Sequence, residues 1–191
     1  MTATNGRSSL HQGGTTLIEV LVTIIILAFG LLGLAGLQSR LQLSDMEGYQ
    51  RAQALVLLND IASRISTNRS AADAYVTTAD DPLGVGMACP TSTTSRQEID
   101  ATQWCSALQG AAEITGGSKA GAMLGARGCV ESLPNKEYLI TVAWQGLAPV
   151  SAPPESVACG KNLYNGAADS ACTADRCRRV VTTIVRIANL N

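Results

Sequence analysis

Six cysteines, Cys89, Cys105, Cys129, Cys159, Cys172 and Cys177, are the most chemically reactive set in this 191-residue chain. Thiols in that number either oxidise in pairs or hold a metal. Zinc sites are recognised by close ligand pairs, and here no Cys-x-x-Cys occurs; Cys172 and Cys177 stand with four residues between them. The even count predicts disulfides, which form in oxidising compartments. Other catalytic chemistry has little to draw on. The only histidine is His11, in a polar segment ahead of the first apolar run, and without a histidine in the remainder there is no Ser-His-Asp, Cys-His or histidine-metal arrangement. The stretch 116–121, Gly-Gly-Ser-Lys-Ala-Gly, lacks the Gly-Lys-Ser/Thr ending that cradles a phosphate and reads as a flexible turn. No carboxylates pair at a recognisable catalytic spacing. The chain therefore reads as a non-enzyme with no cofactor and no metal. A formal net charge of −1 gives no sign of nucleic-acid contact.

One further reactive group stands apart. From Leu17 to Leu37 the chain is apolar except for Glu19, Thr23 and three glycines, and Glu19 carries its only charge. About 20 residues at 1.5 Å rise cover roughly 30 Å of hydrocarbon, so this helix can span a membrane. A secretory signal would be shorter and would carry a small-residue cleavage site behind its apolar run. Here the polar leader, 1–14, places any cut in front. A carboxylate inside such a helix costs a few kcal/mol near the bilayer centre and less near an end, so it is usually paired and functional. Gly30, Gly33 and Gly36 recur in the same run. Each costs about 1 kcal/mol relative to alanine in a helix interior. A stripe of small residues lets helices approach closely in a membrane, while glycine is also simply common in membrane helices.

The leader with Arg7, Gly14 directly before the apolar run, and Thr16-Leu17-Ile18-Glu19-Val20 with Glu19 fifth after that glycine resemble the class III signal of type IV pilins and pseudopilins. The continuation through Gly30-Leu31-Leu32-Gly33-Leu34-Ala35-Gly36-Leu37-Gln38 resembles the minor pilins of the PilV type, the type IV pilus modification proteins. The likeness covers residues 13–38 and is diffuse beyond them; the family usually has Phe where this chain has Thr15. The resemblance implies prepilin peptidase cleavage between Gly14 and Thr15, followed by N-methylation. The new Thr15 amine would then meet Glu19 of its own chain or of a neighbour. His11 would leave with the leader, and the loss of Arg7 would take 14 basic residues to 13 against 15 acidic ones. It also implies a single pass through the inner membrane with a periplasmic head, then a place in the pilus at the cell surface. Partners would be other minor pilins, the major pilin, prepilin peptidase and the inner-membrane pilus assembly machinery, with twitching motility or adhesion as the output. A type II secretion pseudopilin is the nearer alternative. A membrane-anchored periplasmic binding domain or enzyme is the alternative of another class.

The elements behind the anchor predict an α+β fold: a long N-terminal helix, transmembrane then amphipathic, packed on a small antiparallel sheet in a lollipop shape. Residues 15–37 form the transmembrane or filament-core helix, 38–68 its amphipathic continuation and 69–191 the head. Leu55, Leu58, Ala62 and Ile65 follow a three-four-three spacing that predicts one buried stripe. The polar stretch from Asn68 to Gly84 ends the helix. Ser95-Arg96-Gln97-Glu98 is a capping-box sequence, and Ala101, Trp104, Cys105 and Leu108 then share a face of a short helix. Residues 127–133 and 137–145 read as a hairpin about Pro134-Asn135-Lys136, and 178–188 as a third strand.

Six cysteines can pair in fifteen ways. The closure of Cys89 with Cys105, about 15 residues and worth roughly 3 kcal/mol in a chain-entropy account, is favoured. The meander favours Cys129 with Cys159, leaving Cys172 with Cys177. The segment 146–176 has little periodicity, and loops of that length are either functional or held in place by something else. A contact surface for neighbouring subunits or an external surface is one reading, and a stapled loop with no partner is the other.

Overall fold

Nothing in residues 17–67 breaks a helix: the first proline is Pro82. In the computed structural model, which describes residues 16–110, 114–115, 118–119 and 123–188, helix α1 runs Leu17–Thr67 without interruption. The chain divides into two compact units at Gln42/Leu43. In the first, every described residue is exposed, so the helix is held by its own backbone hydrogen bonds. This helix is long and apolar enough to cross a membrane.

In the second unit the same helix turns one face inward. The buried residues are Gln50, Ala54, Leu58, Ile61 and Ile65, whereas Leu55 is 41% exposed and Ala62 is only partly buried at the margin. The expected stripe is corrected by rotation about the axis. Apolar residues stand at both 54/55 and 61/62, and both stripes contain Leu58 and Ile65, so spacing alone does not choose between them. After Thr67 the polar stretch forms a 3-10 helix, Arg69–Tyr75, that buries Ala72 and Tyr75.

Helix α2, Arg96–Leu108, starts with a complete capping box. Ser95 Oγ accepts from Glu98 N at 3.2 Å, and Glu98 Oε2 accepts from the backbone N–H groups of Ser95 and Thr94, each at 2.9 Å. Its Ala101, Trp104, Cys105 and Leu108 face inward, joined by Asp100. Trp104 Nε1 donates to Leu57 O of α1 at 3.0 Å, fixing one helix against the other.

The sheet is four-stranded rather than three-stranded, in the order β1 (Leu83–Gly84), β4 (Arg127–Leu133), β5 (Glu137–Gln145), β6 (Arg178–Arg186), all antiparallel. A separate pair joins β2 (Ile114–Thr115) to β3 (Ser118–Lys119). The remaining residues of 116–121 lie outside the described residues. β1 is too short to show an alternation in sequence. The β4–β5 turn places Asn135 and Lys136 at φ 63° and 58°, the left-handed region that asparagine tolerates better than most residues.

Tyr138, Ile140, Val142 and Trp144 of β5 form one cluster with Val130, Val181, Val185, the buried stripe of α1, Trp104 and Leu108. Gly128 sits beneath Trp104, where an added Cβ would overlap the indole. A second, smaller cluster contains Cys129, Ala143, Cys159 and Tyr164, so β5 is buried on both sides from Ile140 to Trp144.

Candidate functional site

Two sets of residues carried the sequence expectations, and the structure brings the members of one set together. The six cysteines form three disulfides, Cys89–Cys105, Cys129–Cys159 and Cys172–Cys177, and none is free. Cys105, Cys129, Cys159 and Cys177 are fully buried. Among the described residues no three His, Cys, Asp or Glu side chains are placed to share a metal ion.

Glu19, Gly30, Gly33 and Gly36 all lie on the exposed first part of α1. At about 100° per residue, Glu19, Gly30 and Gly33 fall within roughly 60° of one another around the axis. A Cβ added at any of the three glycines would meet no described atom within 4 Å. Close helix packing there would need a neighbour beyond the described residues. Leu17, Val20, Leu21, Ile24 and Ile25 line a shallow apolar surface on the side of the helix away from Glu19. Gly14 and Thr15, the expected cleavage site, lie outside the described residues.

The segment 146–176 has turns but no strand or helix, and it is fixed by more than its disulfides. Arg178, with 1% of its side chain exposed, stands 3.2 Å from Asp175 Oδ2 and donates through Nη1 to Val157 O (2.7 Å) and Cys159 O (3.1 Å). The other Asp175 oxygen accepts from Asn162 N at 2.8 Å, and Asn165 Oδ1 accepts from Asp175 N at 2.8 Å. Tyr164 donates its hydroxyl to Gly125 O at 2.8 Å beneath the Arg127 guanidinium, 5.1 Å from the ring centre. Burial pushes that hydroxyl above the ordinary tyrosine value. Asn162, Ala174 and Asp175 are held at φ between 50° and 62°, a conformation that costs of order 1 kcal/mol or more for each residue and persists where surroundings over-determine it. Sequence pattern missed Arg178, Asp175 and Tyr164. The doubled Arg178-Arg179 at the start of a strand was the one visible sign of a buried cation.

Two ionic clusters tie α1 into the second unit. Asp100 accepts from Tyr75 Oη (2.6 Å) and Arg64 Nη1 (2.8 Å), and Arg96 Nε lies 3.2 Å away. Burial alone would raise the Asp100 carboxyl. The Tyr75 and Arg64 hydrogen bonds and the Arg96 and Arg64 charges outweigh it and hold the carboxyl below the usual range. At the other end, Glu47 Oε1 accepts from Leu147 N (3.0 Å) and Arg179 Nη2 (3.1 Å). These are structural arrangements whose charges are already partnered within the chain.

Comparison with protein-family models, with curated proteins and with solved structures finds no match to this chain.

Proposed function

We propose that this chain is a minor pilin-like subunit of the PilV type. It is inserted once through the inner membrane with its disulfide-bonded unit in the periplasm, cut by prepilin peptidase between Gly14 and Thr15, and assembled with other minor pilins and the major pilin into a type IV pilus. The observation that carries this reading is the wholly exposed, apolar first part of α1, where Glu19, within the helix's first turn, is the single carboxylate of residues 17–37. A plain anchor has no use for that carboxylate, since hydrocarbon penalises it. A subunit that presents a Thr15 amine beside Glu19 gives the charge a partner, its own or a neighbour's. The glycines support the same reading, because Gly30, Gly33 and Gly36 leave open surface on a helical stretch that no described residue covers. Three disulfides fit an oxidising periplasm.

The test is Glu19→Val. A simple anchor would insert as well or better without the carboxylate. A pilus subunit is expected to insert and be cleaved normally, yet to be lost from sheared pili, because breaking a poorly solvated pair leaves one charge unmatched. Membrane abundance, N-terminal mass and pilus-fraction recovery are compared for the two proteins in one background. Equal recovery in the pilus fraction would reject the role given to Glu19.

A further inference from the structure

The loop 146–176 contains two neighbouring residues that can react with each other. Asn165 is followed by Gly166, and an asparagine side chain is open to attack by the backbone nitrogen of the next residue. Glycine has no Cβ to obstruct the five-membered ring that results. Asn162 is followed by Leu163 and lacks that freedom. Asn165 is also exposed, so water reaches it. Both reacting groups are tied to one short closure. Gly166 N, the nucleophile, donates to Cys172 O at 2.7 Å. Asn165 Oδ1, on the carbonyl under attack, accepts from Asp175 N at 2.8 Å. Cys172 and Asp175 belong to the closure of Cys172–Cys177, a separation of 5 residues. Within it Ala174 and Asp175 have φ of 50° and 59°, a backbone that persists only while its surroundings impose it. The Asp175 bond by itself would polarise the carbonyl and favour attack. The Cys172 bond decides against it, because the Gly166 N–H must be freed before its nitrogen can react.

We propose that Asn165-Gly166 is a self-modification site guarded by the Cys172–Cys177 closure. Cys172 is half-buried, whereas Cys129 and Cys159 are both fully buried, so this closure is the more open of the two to a thiol. When a dithiol reductant opens it and becomes a disulfide in turn, residues 172–175 release both groups. Gly166 N then bonds to Asn165 Cγ, the Cγ–Nδ2 bond breaks, and ammonia leaves with the proton from Gly166 N. Water opens the ring at either carbonyl, giving aspartate or isoaspartate. The product carries a new carboxylate beside that of Asp175, which stands 3.2 Å from the buried Arg178, and isoaspartate also lengthens the backbone by one carbon. Reoxidation then does not restore the original loop, and the change records that the closure was once open. The site is independent of the filament reading.

The test incubates the full chain in detergent and mildly alkaline buffer, with sodium sulfate to favour the compact state. After quenching and reduction, trypsin cuts behind Lys161 and Arg176, so Asn162 and Asn165 are read by mass spectrometry in one peptide. A synthetic Leu-Tyr-Asn-Gly-Ala-Ala with blocked ends gives the unguarded rate. In the oxidised chain Asn165 should convert about tenfold or more slowly than in that peptide, since only the open fraction of the loop reacts. In Cys172→Ser/Cys177→Ser it should approach the peptide rate while Asn162 stays unconverted. Cys89→Ser/Cys105→Ser, which opens a closure elsewhere, should leave Asn165 slow. Emission from the buried Trp104 and Trp144 reports the core throughout. Four results would each overturn the proposal: equal rates in the oxidised chain and the peptide, an unchanged rate in Cys172→Ser/Cys177→Ser, the same acceleration in Cys89→Ser/Cys105→Ser, or acceleration only in step with loss of the buried tryptophan signal.

Discussion

Helix α1 meets two environments with one secondary structure. Residues 17–46 are mostly apolar and wholly exposed, whereas residues 47–67 mix charge with apolar residues and bury Gln50, Ala54, Leu58, Ile61 and Ile65. Density of apolar residues and burial therefore run in opposite directions along one helix. Density reports the medium a helix is suited to, and periodicity reports whether the chain itself supplies a partner. The first stretch is built for an apolar surrounding that the described residues do not provide. The second is built for a core that it does.

The largest test of that contrast compares two aromatic truncations. Trp104→Ala removes a residue 1% exposed, together with its bond to Leu57 O, and should cost roughly 3–5 kcal/mol in denaturant unfolding of the second unit. Phe29→Ala, at a residue 71% exposed, should leave that transition within about 0.5 kcal/mol of the parent. A matching loss at Phe29 would break the comparison.

Disulfide removal sharpens it next, because all three bonds serve the second unit. Cys129→Ser/Cys159→Ser opens a separation of 30 residues and should cost about 3.5 kcal/mol in a chain-entropy account. Cys172→Ser/Cys177→Ser opens 5 and should cost about 2. Unfolding midpoints of the oxidised and serine variants measure the order, and the far-UV helix signal from residues 17–46 should persist in both.

The smallest expected effect concerns acid. The Asp100 carboxyl lies below its ordinary value in the folded protein, so its contribution is present above the unfolded carboxyl value, near 4, and is lost as the pH falls through the lower folded value. Asp100→Asn should lower stability at neutral pH by roughly 2 kcal/mol, less than a fully buried pair because Arg64 and Arg96 are partly and largely exposed. It should also flatten the acid side of the stability profile measured by pH-dependent urea midpoints. An unchanged acid slope would show that the Asp100 cluster does not couple α2 to α1.

Local chemistry made much of this legible. The capping box at Ser95 and Glu98, the alternation in β5 and the turn at Pro134 each act within a few residues, and the strand from Arg178 ends near its expected place. The cysteine pairs agree with loop closure and the end-to-end geometry of a meander. What escaped was set by distant partners. β1 exists only because β4 presents an edge to it, and the rotation of the α1 stripe depends on which residues the sheet offers beneath it. Arg178 is buried because Val157 and Cys159 supply carbonyls from across a loop with no period of its own. Of the residues given assembly roles, Glu19 and the three glycines occupy exposed helix surface, against which no described residue is set.

The disulfides have a mechanical consequence. Their closures, of 16, 30 and 5 residues, follow one another along the chain without overlap, so the lengths they withhold under tension add. At about 3.5 Å per extended residue, roughly 180 Å of contour is unavailable to a stretched oxidised molecule and is released on reduction. Pulled from its ends, the oxidised second unit can unravel only in the segments outside its three closures. Its reach before rupture is set by covalent bonds rather than by the strength of its core.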